Sequence, residues 1–84
     1  MSNAAVPSYL EIIDFIAAGT TPQAIVDYRP SAELRQRVAE LIAREKEAGL
    51  SLEDRSELDH AMVLEHILRI AKQRAQRFLI SENE

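Results

Sequence analysis

The sequence predicts an all-α protein: three short helices packed on one long C-terminal helix, a small helical bundle expected to be dimeric. Three observations predict it. Two Gly and three Pro in 84 residues leave few places where the chain is forced to turn, so long elements are expected. Apolar residues recur at spacings of three and four, the period of one helix face. A Ser or Thr stands ahead of each such run, with Gly or Pro behind the first three.

Composition narrows the class further. Hydrophobic residues make up 46% and charged residues 29%, the balance of a globular chain rather than a disordered one. The chain has no Cys, which excludes disulfides and thiolate metal sites and suits a reducing compartment. Met1-Ser2-Asn3-Ala4-Ala5-Val6 shows no basic region followed by an apolar stretch, and Ser2-Asn3-Ala4 is read as native. No apolar run approaches the roughly 20 residues that span a bilayer, so a cytoplasmic location without membrane contact is expected. One domain over residues 1–84 is expected, with residues 1–7 and 81–84 flexible. A chain this short buries roughly 60% of its unfolded surface, so completing its core with a partner or a second copy is expected to matter.

Each helix carries its own punctuation. Ser8-Tyr9-Leu10-Glu11 has the form of a capping box, in which Ser8 and Glu11 satisfy each other's backbone N–H. A first helix is predicted from Tyr9 to Ala18, stopped by Gly19. Tyr9, Ile12, Ile13 and Ile16 share a face, and Leu10 and Phe15 add enough apolar surface to predict that the helix is well covered. Thr21-Pro22 starts a second, short helix ending near Asp27 or Tyr28, since Pro30 biases Arg29 away from helical geometry. Ser31 caps a third, with Glu33 in its first turn and Leu34, Val38, Leu41, Ile42 and Ala48 as its buried stripe. Glu33/Arg37 and Glu40/Arg44 are spaced for i,i+4 pairs. Gly49 ends this helix, and Leu50 is placed to fold back over its last turn. Ser51 then caps a helix that nothing interrupts until about Ile80, roughly 42 Å at 1.5 Å per residue.

That last helix is the informative one. Ala61, Leu64, Leu68, Ala71, Ala75 and Phe78 are spaced three, four, three, four, three, which is a coiled-coil seam of less than three heptads. Val63, Ile67 and Ile70 lie beside it, with Leu58 and Met62 as a further patch. Either the whole apolar arc is an intramolecular core, or part of it meets a second copy or another protein. Residues 52–68 sum to −4 and residues 69–80 to +4. Two copies packed antiparallel would set opposite charges against each other, although acids early and bases late also complement the helix dipole.

Candidate chemistry is sparse. His60 and His66 project about 120° apart on one helix and cannot chelate one metal alone. Ser8, Ser31 and Ser51 are explained as caps, and the two glycines are isolated helix terminators rather than a phosphate cradle. No catalytic residue, metal site, cofactor site or small-molecule substrate is indicated, and the chain is expected not to be an enzyme. The second and third helices have the spacing of a helix-turn-helix, with Arg35, Gln36 and Arg44 outward and Arg29 near a phosphate. The net charge of −4 weighs against nucleic acid. Arg69, Lys72 and Arg77 offer another basic set.

Two resemblances enter at this point. Residues 15–30, Phe-Ile-Ala-Ala-Gly-Thr-Thr-Pro-Gln-Ala-Ile-Val-Asp-Tyr-Arg-Pro, resemble a segment of antitoxin-like bacterial domains that carry a helix-turn-helix. The pattern Tyr28-Arg-Pro-Ser31, Gly49-Leu-Ser-Leu-Glu53, Glu57-Leu58 and Leu64-Glu-His66 through Ala71-Lys-Gln-Arg-Ala75 is similar to short, uncharacterised bacterial helical proteins of antitoxin-like type. That resemblance implies a group encoded near nuclease-like genes, and with it an antitoxin or accessory role. It brings no catalytic residue with it. The expectation is a non-enzymatic protein–protein interaction module that uses its long helix for self-association or partner binding. The alternative is a DNA-binding transcriptional regulator using residues 21–48.

Overall fold

Four helices form in the order the punctuation predicts: α1 (Leu10–Ala17), α2 (Pro22–Asp27), α3 (Ala32–Glu47) and α4 (Leu52–Glu82). The computed structural model describes residues 6–82, and no strand occurs among them. The parts of the expected flexible tails at residues 1–5 and 83–84 lie outside the described residues. α4 runs through Ser81 and Glu82. At 31 residues α4 is about 46 Å long, and it sets the longest dimension of the molecule, 53 Å against 32 and 19 Å.

Most caps work locally. The Ala24 N–H donates to Thr21 Oγ1, Leu34 N–H to Ser31 Oγ and Asp54 N–H to Ser51 Oγ, each at 3.1 Å. Gly19 and Gly49 adopt φ of +87° and +84°, the left-handed region in which any side chain would strain the backbone. The Ser8–Glu11 box does not form. Tyr9 occupies the N-cap position of α1 without a side-chain cap bond, because Ser8 and Glu11 are both engaged by other helices.

The core is one line of contacts between α4 and the helices laid on it. Ile12 of α1, Leu34, Val38 and Leu41 of α3, and Leu58, Ala61 and Leu68 of α4 form a buried cluster. Tyr9, Tyr28, Leu50 and Leu64 pack around it, so Leu50 does fold back as expected. α3 and α4 make an antiparallel pair across the short turn at Gly49, while α2 lies along the second half of α4.

Two expectations of burial are corrected. Ile42 is 37% exposed, and Ala48 is also exposed, so the buried stripe of α3 is Leu34–Val38–Leu41 alone. In α1 only Ile12 is buried, while Ile13 and Ile16 face outward. A two-turn helix meets its neighbours along a single line, too narrow to cover an apolar arc of that width. The Glu33/Arg37 pair is also replaced, since Arg37 reaches Glu40, Asp54 and Glu57 instead, whereas Glu40–Arg44 forms at 3.6 Å.

Removing Leu41 beyond its Cβ leaves a cavity in the cluster. Leu41→Ala is expected to cost about 2–5 kcal/mol in urea denaturation. Ile42→Ala, one residue along and partly exposed, is expected to cost less than half as much. Equal losses at the two positions would contradict this division of α3 into faces.

Candidate functional site

The wide apolar arc of α4 divides into a covered line and an open one. Along the seam, Ala61, Leu68 and Ala75 are buried at seven-residue intervals, with Leu64 and Ala71 part-buried between them. Their partners are the chain's own helices. Alanine at 71 and 75 lets α2 come close, and Thr20, Thr21, Pro22 and Ile25 line a groove of about 270 Å³ with Ala71, Arg74, Ala75 and Phe78. Phe78, last of the seam, is 60% exposed. Five of the six residues expected to offer an interface are therefore used within the chain.

About 110° further round, at 100° per residue, stands a second apolar line. Val63 is 56% exposed, Ile67 50% and Ile70 45%, while Met62, 49% exposed, stands about 100° away on the side opposite the seam. The sequence showed these residues flanking the seam; it did not show which flank three short helices would leave bare. Among the described residues no element covers this side, because α1, α2 and α3 all lie toward the seam. Asp59 precedes the line by one turn and Arg74 follows it by one turn. Both are exposed, and among the described residues neither has an ion-pair partner.

The charges on the covered side are consumed inside the molecule. Arg37 grips Glu57 through two parallel bonds, Nε to Oε2 at 3.2 Å and Nη2 to Oε1 at 3.0 Å, and also reaches Asp54 at 3.1 Å. Ser8 adds its hydroxyl to Glu57 Oε2 at 2.5 Å and its N–H at 3.3 Å. The hydrogen bond from Arg37 holds the Glu57 carboxyl below its ordinary range, against the opposing effect of burial, and the bonds from Ser8 add to it. Arg44 pairs with Glu40 and Asp54, and Arg55 with Glu45.

Glu11 makes a second clasp. Its Oε2 accepts from the Ser31 N–H at 2.7 Å and the Tyr28 hydroxyl at 3.2 Å, and its Oε1 from the Ser31 hydroxyl at 2.5 Å. Ser31 thus donates to Glu11 while accepting from Leu34, and the carboxylate sits at the positive end of α3. Burial pushes the Glu11 carboxyl up, but the bonds from Ser31 and Tyr28 outweigh it and the net shift is downward. Burial, with the Glu11 charge and hydrogen bond behind it, pushes the Tyr28 hydroxyl up to about 12.

Of the four residues read as nucleic-acid contacts, two have polar partners within the chain. Arg35 and Gln36 are exposed on α3. Arg44 is committed to its two carboxylates, and Arg29 Nη1 folds back on the carbonyls of Val26 and Tyr28. Lys72, grouped in the sequence with Arg69 and Arg77, donates to the Tyr28 carbonyl at 2.6 Å and closes the end of α2. Its pKa is lowered by burial and by the neighbouring Arg29 charge, with Asp27 opposing.

One pairing escaped the sequence reading: Ser56 Oγ lies 3.3 Å from His60 Nδ1, one turn apart. The same nitrogen is 2.7 Å from the Ser56 carbonyl, which can only accept, so Nδ1 carries the proton and has no lone pair for the hydroxyl. The ring itself stacks on Tyr9, centroids 5.1 Å apart. An open cleft of about 450 Å³ is lined by Pro7, Tyr9, Leu52, Glu53, Ser56 and the Arg37–Asp54–Glu57 network, whose charges already satisfy one another. Among the described residues no group of three or more His, Asp or Glu is placed to hold a metal ion, and no helix is long and apolar enough to cross a membrane. No protein-family model, no curated protein and no solved structure matches the chain.

The lowered Glu11 and Glu57 pKa values give acid sensitivity with a definite sign. Each contributes stability that is complete above the ordinary carboxylate value and is lost as pH falls through the depressed one. Glu11→Gln is expected to lower stability by about 1–2 kcal/mol at neutral pH, as charge-assisted bonds become neutral ones. Urea titrations at about pH 7 and about pH 3 should show the gap to the parent protein closing in acid. A gap that stays constant would remove Glu11 from this role.

Proposed function

We propose that the protein is a non-enzymatic protein–protein interaction module, antitoxin-like or accessory in role, that docks its partner on the open face of α4. The observation that carries the reading is the line Val63–Ile67–Ile70, each residue keeping about half its surface in solvent on a rigid helix. Isolated exposed apolar residues are ordinary, but a contiguous row of them marks a contact surface. A helix face read at i, i+3, i+4 and i+7 is also a recurrent docking element, because its backbone is already satisfied and its side chains are preordered.

The polar groups support the same reading. Several residues of reactive type are engaged within the fold: Ser8 by Glu57 and Ser31 by Glu11 between elements, and His60 by the Ser56 carbonyl within α4. For an enzyme, a poised base or nucleophile in a cleft would be expected.

Because Ile67 lies outside the core cluster, Ile67→Glu is expected to change the stability of the isolated chain, at low concentration, by no more than about 0.5 kcal/mol. Affinity purification of the native protein from its own cell should retain a stoichiometric companion chain, whether another protein or a second copy. The variant should lose it at unchanged helix content. Identical companions on both proteins, or none on either with no self-association, would defeat the reading.

A further inference from the structure

The open face of α4 is complementary to itself. Read along the helix it runs Asp59, Val63, Ile67, Ile70, Arg74: an acid, three apolar residues and a base, spaced four, four, three and four. Turned end for end, the row keeps its apolar middle and exchanges its charges. That is the property an isologous two-fold contact requires, since each end of the patch must meet the other end of the same patch.

Resting on the reading of α4 as a docking helix, we propose that its occupant is a second copy of the chain, packed with the two α4 helices antiparallel. The axis passes beside Ile67. Val63 then faces the second copy's Ile70, and Asp59 faces the second copy's Arg74, each contact occurring twice. Helices crossing at about 20° stay in contact over this span, roughly 22 Å. Asp59 and Arg74 are among the charges that have no ion-pair partner among the described residues, while Asp54, Glu57, Arg37 and Arg44 are taken up between α3 and α4. The wider asymmetry points the same way: residues 52–68 sum to −4 and residues 69–80 to +4. A parallel pair would set Asp59 against Asp59 and Arg74 against Arg74, and like charges across a helix pair select against that direction.

Sedimentation of the full chain at low salt, from about 1 μM to about 1 mM, is expected to show a transition from one copy to two. Ile67→Glu should weaken association by more than about tenfold with helix content unchanged. The direction is tested by charge. Asp59→Arg and Arg74→Asp should each weaken association by about fivefold or more, because each breaks two symmetric contacts. An equimolar mixture of these two variants should recover the parent affinity, since every mixed pair has opposite charges at both contacts. The recovery should fade in about 0.5 M salt, where screening shortens the reach of the charges.

A natively helical parent protein that stays a single copy throughout overturns the proposal, as does a mixture that associates no better than its components. If the single-copy result comes with a different companion chain lost on Ile67→Glu, the second copy is wrong and the docking helix stands. If no companion appears either, both fall.

Discussion

Ala61, Leu68 and Ala75 stand on one line of α4, and every other helix is placed by its access to that line. The constraint is one of size. α1 and α2 are eight and six residues long, too short to be stable as isolated helices. Their helical form depends on tertiary contact with a longer surface. α4 supplies it, and small side chains at 61, 71 and 75 let the neighbours approach closely. Leu34, Val38 and Leu41 complete the apolar side from α3. The open face follows from the same arithmetic, because three short helices on one side of a rod leave the other side bare.

Polar chemistry fixes what apolar contact leaves loose. A buried line tells a helix where to lie but says little about its position along that line. Two carboxylates set the position: Glu57 receives Arg37 from α3 and Ser8 from the start of the chain, and Glu11 receives Ser31 and Tyr28. No buried side-chain nitrogen or oxygen among the described residues lacks a partner, so these networks carry no unsatisfied group into the interior.

Much of the fold was legible in the sequence because its signals are local. Thr21, Ser31 and Ser51 cap as their positions predict, and Gly19 and Gly49 take the left-handed conformation that ends a helix. Ser8 broke the pattern for a physical reason. Its backbone N–H, which the local motif would give to Glu11, goes to Glu57 on α4, and a strong acceptor 49 residues away in sequence is invisible to a four-residue motif. The candidate surface was legible only in part. Periodicity located both apolar lines of α4 correctly, but it cannot say which of two neighbouring lines a six-residue helix will choose. The structure makes that choice through the small residues, giving the seam to α2 and leaving Val63, Ile67 and Ile70 outward.

The clasp at Glu11 has a consequence for how the molecule opens. α1 is joined to the rest by one buried side chain, Ile12, by the rings of Tyr9 and Phe15, and by two carboxylate networks. The α3–α4 hairpin is closed by a short turn and held by aliphatic side chains that do not titrate, together with the ion pairs of Arg37 and Arg44 to Asp54 and Glu57. The two parts therefore differ in what weakens them. Acid loosens both carboxylate networks of the first while the aliphatic cluster of the second is untouched, which favours a sub-global opening at α1 over complete unfolding.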